Sequence, residues 1–148
     1  MNGETRTEAG GETAVRASFN RQSFMATLGA ELTDVEPGRT RIVYGRNDDF
    51  CQQHGYLHAG VATAIADSSC GYAALSLAPA GSEVLTIEFK SNFLRPASGE
   101  SFEALGRVVR AGSQIMVCEA EVWETAPSRC LIVTMTATMF VLNEPEAG

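Results

Sequence analysis

A single acid, Asp67, interrupts the alanine-rich stretch from residue 58 to residue 78, and that stretch holds neither lysine nor arginine. Such a run reads as a helix buried on nearly every side. A carboxylate placed there is partly stripped of water, which disfavours its charged form and raises its pKa. The shift improves it as a base towards water, and direct nucleophilic attack stays open as well. An isolated acid in a helix more often has a structural role, bonded to a nearby backbone or hydroxyl group, so Asp67 gains a chemical reading only from its surroundings. The other reactive side chains are few: His54, His58, Cys51, Cys70, Cys118 and Cys130. No C-x-x-C pair occurs, and two histidines complete no zinc ligand set, so the cysteines read as buried or free thiols and no metal is expected.

The elements that must position Asp67 can be read from periodicity. Pro79-Ala80-Gly81 ends the helix, since both proline and glycine interrupt its hydrogen-bond ladder. Upstream, Phe19, Phe24, Met25 and Leu28 recur at helical spacing, which predicts a short amphipathic helix over 18–28 capped by Ser18 or Asn20. Residues 29–46 predict a hairpin turning at Glu36-Pro37-Gly38-Arg39, with Ile42 and Tyr44 alternating against Arg41 and Val43. Downstream lie extended segments at about 84–94, 101–110, 114–124 and 130–142. Their short connections, Pro96-Ala97-Ser98-Gly99, Ala111-Gly112-Ser113 and Ala126-Pro127-Ser128, predict antiparallel neighbours. Leu85, Ile87, Phe89 and Phe93 share one face in this reading. Thr134, Thr136 and Thr138 alternate with Val133, Met135, Ala137 and Met139, so one face of the sheet is apolar.

The chain has 148 residues, 45% of them hydrophobic and 20% charged, which is ordinary for one globular domain. Its polar ends predict mobile tails over 1–15 and 143–148 and a single folded unit over 16–142. The first fourteen residues hold no apolar stretch and no basic start, which predicts neither a signal peptide nor a membrane span, and a cytoplasmic location. A net charge of −7 repels nucleic acid and anionic membranes, and the eleven scattered Lys and Arg form no basic stripe. An anionic ligand would need local groups to hold it.

The segment Gln52-Gln53-His54-Gly55-Tyr56-Leu57-His58-Ala59-Gly60-Val61-Ala62-Thr63-Ala64-Ile65-Ala66-Asp67 resembles the G-x-x-H-G-G-x-x-x-x-x-x-D signature of hotdog-fold acyl-CoA thioesterases. The phenylacetate-pathway and hydroxybenzoyl-CoA branches are the most similar, and the strand pattern agrees over about residues 25–142. The resemblance implies an α+β hotdog fold, in which a curved antiparallel sheet of five to six strands wraps around a long central helix. It implies hydrolysis of small, medium or aromatic acyl-CoA without metal or organic cofactor. By position, Asp67 corresponds to the catalytic carboxylate, and Ala59 and Gly60 to the glycines whose backbone N–H groups meet the thioester oxygen. His58 corresponds to the preceding histidine, Gln52 to an Asn or Gln near the thioester or attacking water, and Thr86 to a polar Ser/Thr position. Gly55 opens the signature. Lys90, Arg95, Arg107 and Arg110, with the Gly112-Ser113 turn, are candidate partners for the CoA phosphates. Two departures stand out: Ala59 replaces a glycine, and Gly71 stands one turn after Asp67, where some branches carry a Ser or Thr that helps to hold water.

A helix N-terminus offers unpaired N–H groups and positive dipole charge, which suits a tetrahedral oxyanion. Asp67 lies eight residues beyond Ala59, roughly 12 Å along a helix axis. One helix cannot bring both to one carbonyl, so the expected enzyme is a homodimer with shared sites, and a homotetramer is also compatible. The rival classes are a non-catalytic acyl-CoA or acyl-carrier-protein sensor, against which the intact Asp67 counts, and a hydratase, whose G-D-x-N-P-x-H pattern is missing.

Overall fold

The computed structural model describes residues 10–143. Two short helices, α1 (Gly11–Arg21) and α2 (Ser23–Thr27), lead into the hairpin β1 (Glu31–Glu36) and β2 (Arg39–Gly45). The central helix α3 (Ala59–Leu77) follows, then β3 (Glu83–Phe93), β4 (Ser101–Ala111), β5 (Ile115–Ala126) and β6 (Cys130–Leu142). All six strands form one antiparallel sheet in the order β1-β2-β4-β5-β6-β3. One face of that sheet packs on α3, which touches every strand; this is the hotdog arrangement.

Small side chains let α3 sit close to the sheet. At the tightest point, a Cβ on Gly106 of β4 would lie 2.3 Å from the Ser69 carbonyl oxygen, so only glycine fits. Thr40 Oγ1 donates to that same carbonyl at 2.7 Å, and the Gly38 N–H donates to Ser76 Oγ at 2.8 Å. These bonds, with buried Ile65, Ala66, Cys70 and Ala74 against Ala104, Cys118, Ala120 and Val122, fix the rotation of α3.

Three expectations need correction. The mobile tail expected over 1–15 does not extend that far: α1 starts at Gly11, and Val15 is completely buried in the core. The remainder of that tail, residues 1–9, and residues 144–148 of the other lie outside the described residues. The helix expected over 18–28 is broken at Gln22, whose backbone is extended.

The third correction concerns β3. It does not pair with β4 but crosses to the far edge beside β6. The connection through Pro96-Ala97-Ser98-Gly99 passes over the start of α3, where the Leu57 N–H donates to the Ala97 carbonyl at 3.0 Å. It thus spans three strand spacings, about 14 Å. Within β3 the register shifts between Thr86 and Glu88, leaving Ile87 as the extra residue of a bulge. The bulge reverses the alternation. Thr86, Phe89 and Phe93 lie opposite Met139, Ala137 and Val133 on the helix-facing side, whereas Leu85 lies opposite Phe140 on the other, so the expected single apolar face of Leu85, Ile87, Phe89 and Phe93 is split.

Candidate active site

The loop before α3 is closed on itself. The Gln52 N–H donates to Tyr56 O at 2.8 Å, the Gly55 N–H to Gln52 O at 3.0 Å, and the His58 N–H to Phe50 O at 2.9 Å. Gly55 adopts φ +84°, open mainly to glycine, and its carbonyl accepts from Arg46 Nη2 at 2.7 Å. The Gln52 side-chain carbonyl accepts from the His54 N–H, which turns that oxygen back into the loop.

His58 is the N-cap of α3. Its Nδ1 accepts from the Gly60 N–H at 2.8 Å, and its carbonyl accepts from the Val61 N–H at 2.9 Å. Nδ1 must therefore carry a lone pair, leaving Nε2 as the outward nitrogen. The Ala59 N–H has no protein partner among the described residues, and both Ala59 and Gly60 are exposed. Of the two amides that the sequence places at the oxyanion, Gly60 is thus occupied as the cap and Ala59 remains open. Glycine at 60 has a steric cause too: a Cβ there would come within 2.9 Å of His58 Nδ1.

A recess of about 590 Å³ opens beside this helix tip, lined by Gln52, Tyr56, His58, Ala59, Phe93 and Arg95 among others. Asp67 is not in it. Its carboxylate borders a separate cavity of about 130 Å³, where Thr86 Oγ1 donates to Asp67 Oδ1 at 2.7 Å. Partial burial pushes the Asp67 carboxyl above the usual range, and the Thr86 bond opposes that shift without cancelling it. Within one chain, the helix-tip group and the mid-helix acid therefore face different recesses.

The candidate phosphate partners are dispersed. Arg110, Gly112 and Ser113 sit at the β4–β5 hairpin, where the Gly112 N–H donates to Ile115 O at 2.9 Å. Arg110 is nine residues along β4 from Ser101, roughly 30 Å from the strand end that adjoins the helix tip. Lys90 bonds Asn92, Arg95 bonds the Leu131 carbonyl and Arg107 pairs with Glu119, whereas Arg110 has neither hydrogen bond nor ion pair among the described residues. No group of three or more His, Cys, Asp or Glu among those residues is arranged to hold a metal. No helix among the described residues is long and apolar enough to cross a membrane.

Around Asp67 the structure adds side chains that the sequence did not connect with it: Ser18, Gln22, Ser68 and Tyr72 border the same cavity. Ser18 lies in α1 and Gln22 in the break between α1 and α2, and no spacing pattern links them to α3.

A helix held inside a six-stranded antiparallel sheet, with an open amide at its start and a desolvated acid at its middle, defines a hotdog thioester hydrolase. Residues 54–130 match the thioesterase superfamily, and the chain belongs to that family. A thioesterase family protein from Silicibacter pomeroyi is 45% identical, with a TM-score of 0.85 over 87% of this chain and 96% of that one. The PaaI protein of the E. coli phenylacetic acid degradation operon has a TM-score of 0.79 over 86% of this chain and 90% of its own, and at 18% identity it shares the fold. A Saccharolobus solfataricus protein named as a candidate esterase is 34% identical over 94 residues, 64% of this chain and 66% of that one.

Proposed function

We propose that this thioester hydrolase acts on small, medium or aromatic acyl-CoA, releasing free acid and CoA from sites that two subunits share. The observation that carries this reading is the separation of Ala59 and Asp67 along α3, with each group open to its own recess. A second copy whose helix tip faces Asp67 would complete the site. The exposed edge of β3 supports such a partner: among the described residues this strand pairs only with β6, and its helix-facing Phe89 and Phe93 are 43% and 51% exposed. A homotetramer is compatible with the same pairing.

In the reaction, Asp67 takes a proton from water as the water oxygen bonds to the acyl carbon. The carbonyl oxygen becomes an oxyanion, which accepts a hydrogen bond from the partner's Ala59 N–H. Collapse breaks the C–S bond, and the CoA thiolate leaves with the proton that Asp67 returns. The alternative, attack by Asp67 itself, expels the CoA thiolate and gives a mixed anhydride that water then opens at the Asp67 carboxyl carbon, with the product acid as leaving group. Oxygen-18 water in a single turnover separates the two: the first route labels the product acid, and the second labels Asp67.

The function is tested by thiol release from a panel of acyl-CoAs, with Asp67→Asn as the control. Ligand-induced stabilisation without thiol release would overturn it in favour of a binding protein. Phe93→Asp tests the shared site, since it should convert the assembly to monomers and abolish hydrolysis together. A fully active monomer would contradict it.

A further inference from the structure

One turn beyond Asp67, a Cβ built on Gly71 would meet no heavy atom within 4 Å. The helix therefore leaves an opening beside the carboxylate. That opening belongs to the cavity of about 130 Å³, which has room for ordered water at about 30 Å³ per molecule.

The polar wall of the cavity comes from α1 and from the break that follows it. Tyr72 Oη donates to Gln22 Oε1 at 3.2 Å, and Ser18 Oγ donates to Tyr72 Oη at 3.4 Å. Phe19 packs edge-on against the Tyr72 ring, with centroids 5.5 Å apart. With its carbonyl oxygen held by Tyr72, the Gln22 amide has one orientation, and its Nε2 reaches Ser68 Oγ at 3.5 Å, beside Asp67. One Gln22 N–H is left over. Thr86 occupies Oδ1 of Asp67, and Oδ2 has no protein partner among the described residues. Gln22 itself is the residue that interrupts the N-terminal helix, with φ −82° and ψ 96°.

Given the hydrolytic role proposed above for Asp67, we propose that Gln22, oriented by Tyr72, positions the attacking water against that carboxylate. The spare Gln22 N–H donates to the water oxygen, and the water donates one hydrogen to Asp67 Oδ2. A second lone pair stays free for the acyl carbon. Gln22 thereby does from another element what a hydroxyl at position 71 would do from the helix. When the water attacks, its oxygen forms the new C–O bond, its proton passes to Asp67, and the C–S bond breaks.

The test is a rescue experiment on the full chain. Gln22→Ala should lower kcat about 10- to 100-fold, the scale expected when a reacting group is misplaced by about an ångström, with KM within about twofold of wild type. Adding Gly71→Ser, whose hydroxyl enters the opening, should restore most of the lost kcat. Tyr72→Phe should lower kcat in the same direction and add little to Gln22→Ala, because the two residues act as a unit. Gln22→Met keeps the bulk of the side chain and guards against a simple loss of folding. An unchanged kcat in Gln22→Met and Gln22→Ala overturns the inference, as does a rescue failure in the folded double variant. Asp67→Asn assayed alongside separates the two layers: if it stays active the hydrolytic reading falls, and if only the Gln22 variants are silent the water-positioning role falls alone.

Discussion

Thr86 Oγ1 donates a 2.7 Å hydrogen bond to Asp67 Oδ1, tying the edge strand β3 to the middle of α3 across nineteen residues of sequence. The bond is charge-assisted and favours the ionised carboxylate against the burial that disfavours it. Thr86→Val should therefore raise the Asp67 pKa further. Since either chemical route needs the carboxylate ionised, the acidic limb of the kcat/KM profile should move to higher pH. Below that limb, kcat/KM should fall about fivefold, the equivalent of about 1 kcal/mol, while the plateau above it changes little. Thr86→Ser should leave the limb in place; a limb unmoved by Thr86→Val would show that the bond does not tune the acid.

Asp67 also sets a stability trend. Its folded pKa lies above the ordinary carboxylate value because burial outweighs the Thr86 bond. The folded chain then holds the proton more tightly than the unfolded chain, so this group adds stability as pH falls through its folded pKa and costs stability when ionised. Asp67→Asn should abolish at least about 99% of hydrolysis, the scale of a lost general base. Its melting temperature at neutral pH should equal or exceed that of wild type, and the difference should shrink on acidification. Calorimetry across pH checks the sign.

The His58 cap offers a prediction about the helix start. Gly60→Ala puts a Cβ 2.9 Å from His58 Nδ1 and should displace the imidazole, costing about 1 kcal/mol of stability as cap losses do. His58→Ala should cost a similar amount, whereas His58→Asn, whose side-chain oxygen can accept from the same N–H, should recover most of it. Urea denaturation of the three variants would show a cap that matters, or three identical midpoints would show one that does not.

Much of this architecture was legible in the residues. Period-two alternation and turn residues placed β1, β2, β4, β5 and β6 within a few positions, and the alanine-rich run with its single acid located α3 to within a residue at each end. The position of β3 was not legible, because Pro96-Ala97-Ser98-Gly99 has the composition of a hairpin turn whether the chain reverses or crosses the end of a helix. The Ile87 bulge left no trace in a strand that alternates plausibly in either frame. At the site, Asp67, His58 and Ala59 stood out because they share one helix with a recognisable spacing. Gln22 and Tyr72 did not, since what joins them is a tertiary contact between the α1–α2 break and α3.

Gly106 gives a prediction away from the chemistry. A Cβ at this position falls 2.3 Å from the Ser69 carbonyl oxygen, a backbone atom that cannot rotate aside. Gly106→Ala should push α3 off β4 and cost about 2 kcal/mol or more. Because Ser69 lies two residues from Asp67, the displacement should also lower kcat, unlike a surface substitution of equal destabilisation. Thermal unfolding and single-turnover rates measured on the same sample would reveal the coupling.

The distance between Ala59 and Asp67 along one helix has a genetic consequence. In a shared-site dimer, a chain crippled at its helix tip and a chain crippled at its acid are each inactive alone, yet a hybrid of the two contains one wholly native catalytic centre. Co-expression of Ala59→Pro, which removes the open amide at a first-turn position that tolerates proline, with Asp67→Asn should then return about a quarter of the normal turnover, since half of a random mixture is hybrid and each hybrid has one working centre of two. Two defective alleles would complement each other in the same cell.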